Sequence, residues 1–407
     1  MDLRKYLDKI KPNFEEGGKH PGLKSTFEAF ESFLFVPNNV TASKGAHIRD
    51  SVDLKRTITV VIIALIPALL FGMWNVGYFH HKMTGETAGL WGNFFYGLGQ
   101  VLPILVVSYV SGLFLEFLFA QIRKEQVNEG FLATGLLIPM IVPVDTPLWM
   151  VAIATMFAVL IGKEVFGGTG MNIVNPALLA RAFLFFAYPS KMSGDKVWIA
   201  GLDGAEKTVD GFSGATPLGE LAQNTSWDAL TSHYSVSDMF FGFIPGAVGE
   251  TSTLCILLGA ILLIWTGVAS WKIMLSGVLG VLFMGLLLNF AGDHIVSSLD
   301  PQKDAAKIAE YSYLFVPAYA HLILGGFAFG IVFMATDPVT AAQTETGKWI
   351  YGFLVGVVAI LVRVVNPAFP EGVMMAILLM NVTAPIIDHI VVRQNVKRRL
   401  NRAKASK

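Results

Sequence analysis

Long stretches without charged side chains constrain this chain more than any other feature. An α-helix needs roughly 20 apolar residues to cross a bilayer. Seven stretches approach that length, one of them with Glu116 near its end: 57 to 79, 95 to 120, 252 to 268, 273 to 291, 314 to 335, 349 to 365 and 372 to 391. Three shorter runs lie at 130 to 144, 148 to 162 and 172 to 189. With 54% hydrophobic and 15% charged residues, the sequence predicts an all-α integral membrane protein with about ten transmembrane helices.

The distribution of charge predicts the orientation of the chain. Thirty Lys and Arg balance thirty Asp and Glu, so no nucleic-acid partner is expected. If the N-terminus is cytoplasmic, most of the basic residues fall in the two tails and in loops on the cytoplasmic side, as the positive-inside rule requires. An even number of helices then returns the C-terminus to that side.

This topology divides the chain into five segments, with an odd number of helices on either side of a long loop. A unit of five helices must invert when it is repeated, so we expect two inverted five-helix repeats. The segments are a cytoplasmic N-terminal segment (1 to 56), a first repeat (57 to 190), an outer, periplasmic loop (191 to 250), a second repeat (251 to 392) and a basic cytoplasmic tail (393 to 407).

Two similar turns support the duplication. The third helix ends at Asp145-Thr146-Pro147, and the eighth ends at Asp337-Pro338. In an inverted repeat these turns lie on opposite sides of the membrane. Asp and Pro commonly end helices, however, so the similarity also fits unrelated turns.

The candidate chemistry lies in irregular backbone within the membrane. Short broken helices are tolerated there where they line a cavity. A Gly-rich stretch from 167 to 170 precedes Asn172 and Asn175, whose amides would face one way on a helical turn and could bind a planar heterocycle. Alternatively, Asn175 only caps the helix that Pro176 begins. Arg181, inside the fifth helix, must have a partner, and Glu164 is a candidate.

A lone cysteine, Cys255, excludes a disulfide framework and a self-ligated iron–sulfur cluster. No metal site is predicted apart from one for sodium, and no catalytic residue is assigned. In the outer loop, the small residues of Asp210-Gly211-Phe212-Ser213-Gly214-Ala215-Thr216 leave a hydroxyl accessible. On physical grounds alone this segment is a turn.

That segment resembles the flavinylation motif of the NqrB/RnfD family, which comprises a membrane subunit of the sodium-translocating NADH:quinone oxidoreductases and its relative in the Rnf complex. The resemblance extends over most of the chain. It is carried by Arg49 to Arg56, Lys163 to Gly170, Asn175 to Leu178, Arg181 to Pro189, Ile244 to Gly246 and Met334 to Val339.

The resemblance implies two flavins. Thr216 matches the threonine that carries FMN through a phosphoester bond formed by a flavin transferase, and Ser213, Gly214 and Ala215 complete that motif. Asn172 and Asn175 match the contacts of a riboflavin that is bound without a covalent bond.

The resemblance also implies sites for ubiquinone and Na+. Gly112 and Glu116 match a Gly-Gly-x-x-Glu stretch linked to quinone, although Leu113 replaces its second glycine. The acids matched to sodium uptake are Glu28, Glu116, Asp337 and Asp388. Other roles stay open: Glu116 could extend to the interface, Asp337 could be a turn residue and Asp388 could face the basic tail.

The implied protein is the membrane subunit of a redox-driven sodium pump in the bacterial inner membrane. It would pass electrons from FMN to riboflavin and ubiquinone within a six-subunit complex whose other subunits oxidise NADH. One alternative is the RnfD component of an Rnf-type ferredoxin:NAD oxidoreductase, and another is a channel or transporter without redox chemistry. A haem protein is disfavoured, because only His321 of the eight histidines lies clearly within a span.

Overall fold

The computed structural model describes most of the chain, and every regular element in the described part is a helix. The described residues are 3–14, 17–20, 23–35, 54–125, 127, 129–194, 196–202, 209, 214–223, 225–299, 311–366 and 371–405. The prediction of an all-α fold is therefore confirmed for this part of the chain.

Two short helices of the N-terminal segment precede the membrane helices. They are α1 (Leu3–Ile10) and α2 (Lys24–Leu34), and α2 packs against a membrane helix through Phe30, whose ring centroid lies 6.1 Å from that of Phe117. The first half of the bundle follows as α3 (Leu54–Thr84), α4 (Leu90–Arg123), α5 (Phe131–Ile141), α6 (Leu148–Gly162) and α7 (Pro176–Ala187).

Short helices build the long loop, and longer ones return in the second half. The loop contains α8 (Pro189–Met192), α9 (Pro217–Ala222), α10 (Trp227–His233) and α11 (Val236–Phe241). The second half contains α12 (Thr253–Trp265), α13 (Trp271–Ser297), α14 (Ala320–Ile323), α15 (Phe327–Phe329), α16 (Glu345–Val365) and α17 (Val373–Ala405). The basic tail from residue 393 continues α17 as helix as far as Ala405.

Six helical stretches are long and apolar enough to cross a membrane: Leu54–Thr84, Leu90–Arg123, Leu148–Phe166, Trp271–Ser297, Glu345–Val365 and Val373–Ala405. The helices α5, α7 and α12 are apolar but have only 11, 12 and 13 residues. At about 1.5 Å per residue they reach no more than roughly 20 Å, which is less than the hydrocarbon thickness. The full span predicted for 252 to 268 is therefore a shorter helix, and the count of ten spans stays a prediction.

The predicted span 314 to 335 is wrong as a continuous helix. The chain there forms a 3-10 turn at Ser312–Phe315, then α14, α15 and a π-helical turn at Gly330–Met334. Pro317 follows the first turn and restricts the residue before it. Gly325 has a φ of 61°, which no continuous helix allows. Composition alone does not register these breaks, because every residue in the run is uncharged except His321.

Similar helix contacts recur in the two halves. In the first half α4 packs on α6 and α6 on α7, and in the second half α13 packs on α16 and α16 on α17. The α13–α16 contact is close: a Cβ on Gly280 would lie 2.2 Å from Phe353 O. Small residues allow such close packing between membrane helices. The recurring contacts support the duplication, and the arrangement as two inverted repeats stays a prediction.

The helix α3 gives the molecule two ends. Near its C-terminus, His80 Nδ1 lies 2.8 Å from Ala200 O, and the neighbouring Gly201 N donates to Asp145 Oδ2 at 2.7 Å. Near its N-terminus, Leu54 lines a cavity together with Asp337. His80 and Leu54 are about 39 Å apart along the axis of α3, so the two Asp-Pro turns lie at opposite ends of this helix. We name these the threonine end, where Thr216 also lies, and the asparagine end, where Asn172 lies.

Candidate functional site

A cavity of about 260 Å³ lies at the threonine end, and we name it the threonine cavity. Thr216 lines it together with residues from four other parts of the chain, among them Phe185, Glu250, Thr251 and Glu371. The hydroxyl expected to carry a flavin is therefore part of a cavity wall.

Local sequence explains the position of Thr216. Thr216 caps the N-terminus of α9, its hydroxyl accepting from Gly219 N at 3.0 Å, and Pro217 occupies the first helical position. Leu221 is buried in a small apolar core with Leu230 and Met239 of the next two helices. Such a cap and core fix the threonine at the cavity.

Of the other motif residues, the structure describes Gly214 and Ala215. Gly214 and Ala215 are buried beside Thr216, and Tyr234 donates its hydroxyl to Ala215 O at 3.2 Å. Ser213 and the preceding motif residues lie outside the described residues. Burial raises the pKa of Tyr234 to about 12, so its phenol remains a hydrogen-bond donor at neutral pH.

Two carboxylates in the wall of the threonine cavity hold Arg181. Its guanidinium bonds to Glu250 at 2.7 Å and also to Glu371. The sequence-based suggestion of Glu164 as the partner is wrong. Glu164 pairs instead with Arg123, at 2.8 Å, at the asparagine end. The N-terminus of α7 lies at that end, whereas Arg181 is more than one turn along the helix, toward the threonine end.

A second buried arginine extends this network. Arg363 is fully buried in the last turn of α16, where it donates to His321 O at 3.1 Å and to Glu371 O at 3.3 Å. Burial raises the pKa of Glu371 to about 7, although Arg181 opposes this shift. Sequence reasoning missed Arg363 because one charge at the end of an apolar run gives no sign of its distant partners.

A second cavity, of about 140 Å³, lies at the asparagine end, and we name it the asparagine cavity. Its wall includes the expected riboflavin contacts and one cation: Lys163, Thr169, Asn172, Asn175 and Asp337. Phe333, Leu137 and Val61 contribute apolar surface. This mixture of apolar walls with a few polar groups is typical of a small-molecule site.

The two asparagines share this cavity although they do not share a helical turn. Residues 171 to 175 are not helical, so the geometry expected from their spacing is wrong. Asn175 is the N-cap of α7, with its Oδ1 accepting from Ala177 N at 2.9 Å, as the alternative interpretation predicted. Within the described part of the chain, the side-chain nitrogen of Asn172 donates only to Val174 O, at 3.3 Å.

A glycine-rich loop brings Thr169 to the asparagine cavity. Gly167, Gly168 and Gly170 have φ values of 120°, 95° and 90°, which side chains with a Cβ rarely adopt. Thr169 lies among them, and its buried Oγ1 has no hydrogen-bond partner among the described residues. A buried hydroxyl without a partner is costly unless a ligand or water satisfies it.

The expected quinone residues are buried close to this loop. Glu116 pairs with Lys163 and is 6% exposed, so it does not extend to the interface. It lines a third cavity of about 110 Å³, the acid cavity, with Arg123, Glu164 and Thr169. A Cβ on Gly112 would meet the ring of Phe131 at 1.9 Å. Gly112 therefore permits close packing of α4 against α5.

The other acids expected to bind sodium have separate hydrogen-bond partners or lie on another element. Asp337 accepts from Val339 N and from Thr340 Oγ1, each at 3.0 Å, and burial raises the pKa of its carboxyl. Asp388 accepts from Thr344 N at 2.9 Å, so it faces the start of α16 and not the basic tail. Glu28 lies on α2. Among the described residues, no group of three metal-ligating side chains converges on one point.

One short helix joins the first two cavities. Pro176, at the start of α7, lines the asparagine cavity, and Phe185, near its end, lines the threonine cavity. Nine residues separate them, about 14 Å along the axis. Arg181 lies between the two positions.

These helices and cavities define a multi-pass membrane protein with internal cavities. The chain belongs to the NQR2, RnfD, RnfE family, whose model matches residues 41–397. It is similar over almost its full length to the NqrB subunits of the Na(+)-translocating NADH-quinone reductases of three bacteria. The identity is 46% for Ectopseudomonas mendocina (strain ymp), 45% for Stutzerimonas stutzeri (strain A1501) and 44% for Azotobacter vinelandii (strain DJ), each over 99% of this chain and 100% of the relative.

Proposed function

We propose that this chain is the membrane subunit of a sodium-translocating NADH:quinone reductase in the bacterial inner membrane. It carries electrons from an FMN bound covalently at Thr216 to a riboflavin at Asn172 and Asn175, and on to ubiquinone, coupled to Na+ export. The observation that carries the proposal is the link between the two cavities: Thr216 lines one, both asparagines line the other, and α7 spans the distance between them.

The residues of the threonine cavity fit a tethered flavin. The FMN phosphate needs only a hydroxyl on the wall, which Thr216 supplies. The buried Oγ1 of Thr251, which also lines this cavity, has no partner among the described residues and can bond to a polar ligand. A volume of about 260 Å³ is slightly below the range of roughly 300 to 1,000 Å³ for sites that enclose drug-sized ligands. A covalent bond compensates for such incomplete enclosure.

The residues of the asparagine cavity fit a flavin without a tether. The amide of Asn172 has one weak contact, and the hydroxyl of Thr169 has none among the described residues, so both can bond to the edge of a heterocycle. Leu137 and Phe333 supply apolar surface for its rings. Bound flavins supply one- and two-electron chemistry, and the chain supplies their position and electrostatics.

Quinone and sodium belong to the asparagine end in this proposal. Gly112 and Glu116 mark the quinone region, and Glu28, Glu116, Asp337 and Asp388 are the candidate acids for Na+ uptake. Both termini are cytoplasmic and the Thr216 loop is periplasmic, where a flavin transferase reaches it. The other members of a six-subunit complex supply NADH oxidation and electron entry.

Covalent flavin tests this proposal. The chain, produced within its complex in a host with the flavin transferase, gives a fluorescent band on a denaturing gel under ultraviolet light. Thr216→Val, which keeps the shape but removes the hydroxyl, abolishes the band. Ser226→Ala is the matched control, because Ser226 caps the adjacent helix α10 in the same way and does not line the threonine cavity. A wild-type chain without fluorescence, or a fluorescent Thr216→Val chain, contradicts the proposal.

The same preparation separates the alternatives. A colourless chain supports a channel or transporter without redox chemistry. An Rnf-type chain would carry flavin but serve a complex that exchanges electrons with ferredoxin. The relatives with 44 to 46% identity are named for NADH and quinone, and this favours NADH:ubiquinone activity in the purified complex.

A further inference from the structure

Lys163 lines one of the three cavities and is bonded to a residue that lines another. It lines the asparagine cavity with Asn172 and Asn175. Its Nζ is bonded to Oε1 of Glu116, which lines the acid cavity. The Lys163–Glu116 pair therefore forms part of the wall between the candidate flavin cavity and the acid cavity.

The burial of this pair calls for an explanation beyond stability. The side chains of Lys163 and Glu116 are 7% and 5% exposed. Removing two charges from water is costly, and a well-packed apolar pair in the same place is often no less stable. A buried ion pair is thus weak evidence of a stabilising role and stronger evidence of an electrostatic one.

Lys163 differs from its neighbour in where its charge acts. Arg123 and Glu164 form a second pair in the wall of the acid cavity, but neither lines the asparagine cavity. Within the described part of the chain, Lys163 is the one basic residue that lines the asparagine cavity. The unpartnered hydroxyl of Thr169 lines both cavities, which independently indicates that a polar ligand belongs at this wall.

We infer that Lys163 is a positioning residue for the ligand of the asparagine cavity, and that its ammonium, held in place by Glu116, sets the redox potential of that ligand. The inference rests on the proposed function, in which the ligand is a riboflavin. A flavin that gains electrons becomes more negative, and a fixed positive charge in a water-poor cavity favours the reduced form. Glu116 opposes this effect because it carries the opposite charge slightly farther away.

The two charges must therefore act in opposite directions. The test is a spectroelectrochemical titration of the extractable flavin in the assembled complex, with Lys163→Gln, Lys163→Arg and Glu116→Gln compared with wild type. Lys163→Gln lowers the midpoint potential, and Glu116→Gln raises it. At a fixed potential, each variant changes the ratio of reduced to oxidised flavin about tenfold. This is a shift of ~59 mV in the midpoint potential for a one-electron couple. Lys163→Arg keeps the charge and stays within about threefold of wild type.

A control separates local from general effects of charge. Lys272 pairs with Glu345 on the surface and lines none of the three cavities. Lys272→Gln leaves the midpoint unchanged. If Lys163→Gln does not assemble, the double variant Lys163→Gln/Glu116→Gln leaves no unpaired charge, and its midpoint must lie below that of Glu116→Gln alone.

The outcomes distinguish this inference from the proposed function. A wild-type complex without extractable riboflavin overturns both. Riboflavin with an unchanged midpoint in Lys163→Gln, or shifts of the same sign in Lys163→Gln and Glu116→Gln, overturns the inference alone and leaves Lys163 a structural residue.

Discussion

The buried ion pairs beside the threonine and asparagine cavities connect parts of the chain that lie at different separations in sequence. In the threonine cavity, Arg181 joins α7 to Glu250 and Glu371, which lie 69 and 190 residues away. In the asparagine cavity, Lys163 joins the end of α6 to Glu116 on the adjacent helix α4. The first network ties the two halves of the chain together, whereas the second lies within the first half.

From this difference we infer that the buried charge of Arg181 is structural and that the buried charge of Lys163 is electrostatic. Arg181 satisfies two carboxylates that would otherwise be isolated from water in the cavity wall. Lys163 satisfies one and presents the same charge to a candidate ligand. Removal of the first should chiefly affect folding, and removal of the second should chiefly affect the bound cofactor.

The largest expected effect comes from Arg181→Met. This change removes the buried guanidinium and leaves two partly buried carboxylates unpaired at the contact between the halves, and breaking a buried pair typically costs about 3 to 5 kcal/mol. We expect a large fall in thermal stability in detergent, or no assembled complex. Lys272→Met, in an exposed pair, is the comparison and should cost about 1 kcal/mol or less. Equal melting temperatures for the two variants would refute the structural role of Arg181.

A smaller effect is expected from the two asparagines, whose removal should affect stability differently. Asn175→Ala removes the cap of α7, which should lower the free energy of unfolding by about 1 kcal/mol. We expect the same variant to lose its riboflavin. Asn172→Ala removes an amide with only one weak contact among the described residues, so riboflavin content should fall while the melting temperature stays close to that of wild type. Both quantities can be measured on one preparation. Full riboflavin content in Asn172→Ala would remove this residue from the site.

The membrane helices could be predicted from the sequence because solubility in lipid depends on local composition. The uncharged runs located α3, α4, α13, α16 and α17 in the chain, although several of these helices extend well beyond their runs. The run from 314 to 335 is equally apolar, yet Pro317 and the left-handed Gly325 divide it. Hydropathy does not detect backbone geometry, and this was the main error in the fold.

Sequence reasoning singled out residues that line the two cavities, but it could not predict their contacts. The asparagines were identified and share a cavity, although the backbone between them is not helical. The partners of Arg181 come from loops far away in sequence, and no local pattern links Arg181 to Glu250 or Glu371. Lys163 resembled an ordinary helix-terminal residue, and only packing revealed its pairing with Glu116.

The most direct test of two flavins in one chain is their stoichiometry in the purified wild-type complex. Acid precipitation separates extractable riboflavin from flavin that stays on the chain, and mass spectrometry of the peptide containing Thr216 locates the bound portion. The account predicts one FMN on the Thr216 peptide and one extractable riboflavin that falls in Asn172→Ala. An unmodified Thr216 peptide, or riboflavin that is indifferent to Asn172, would contradict it.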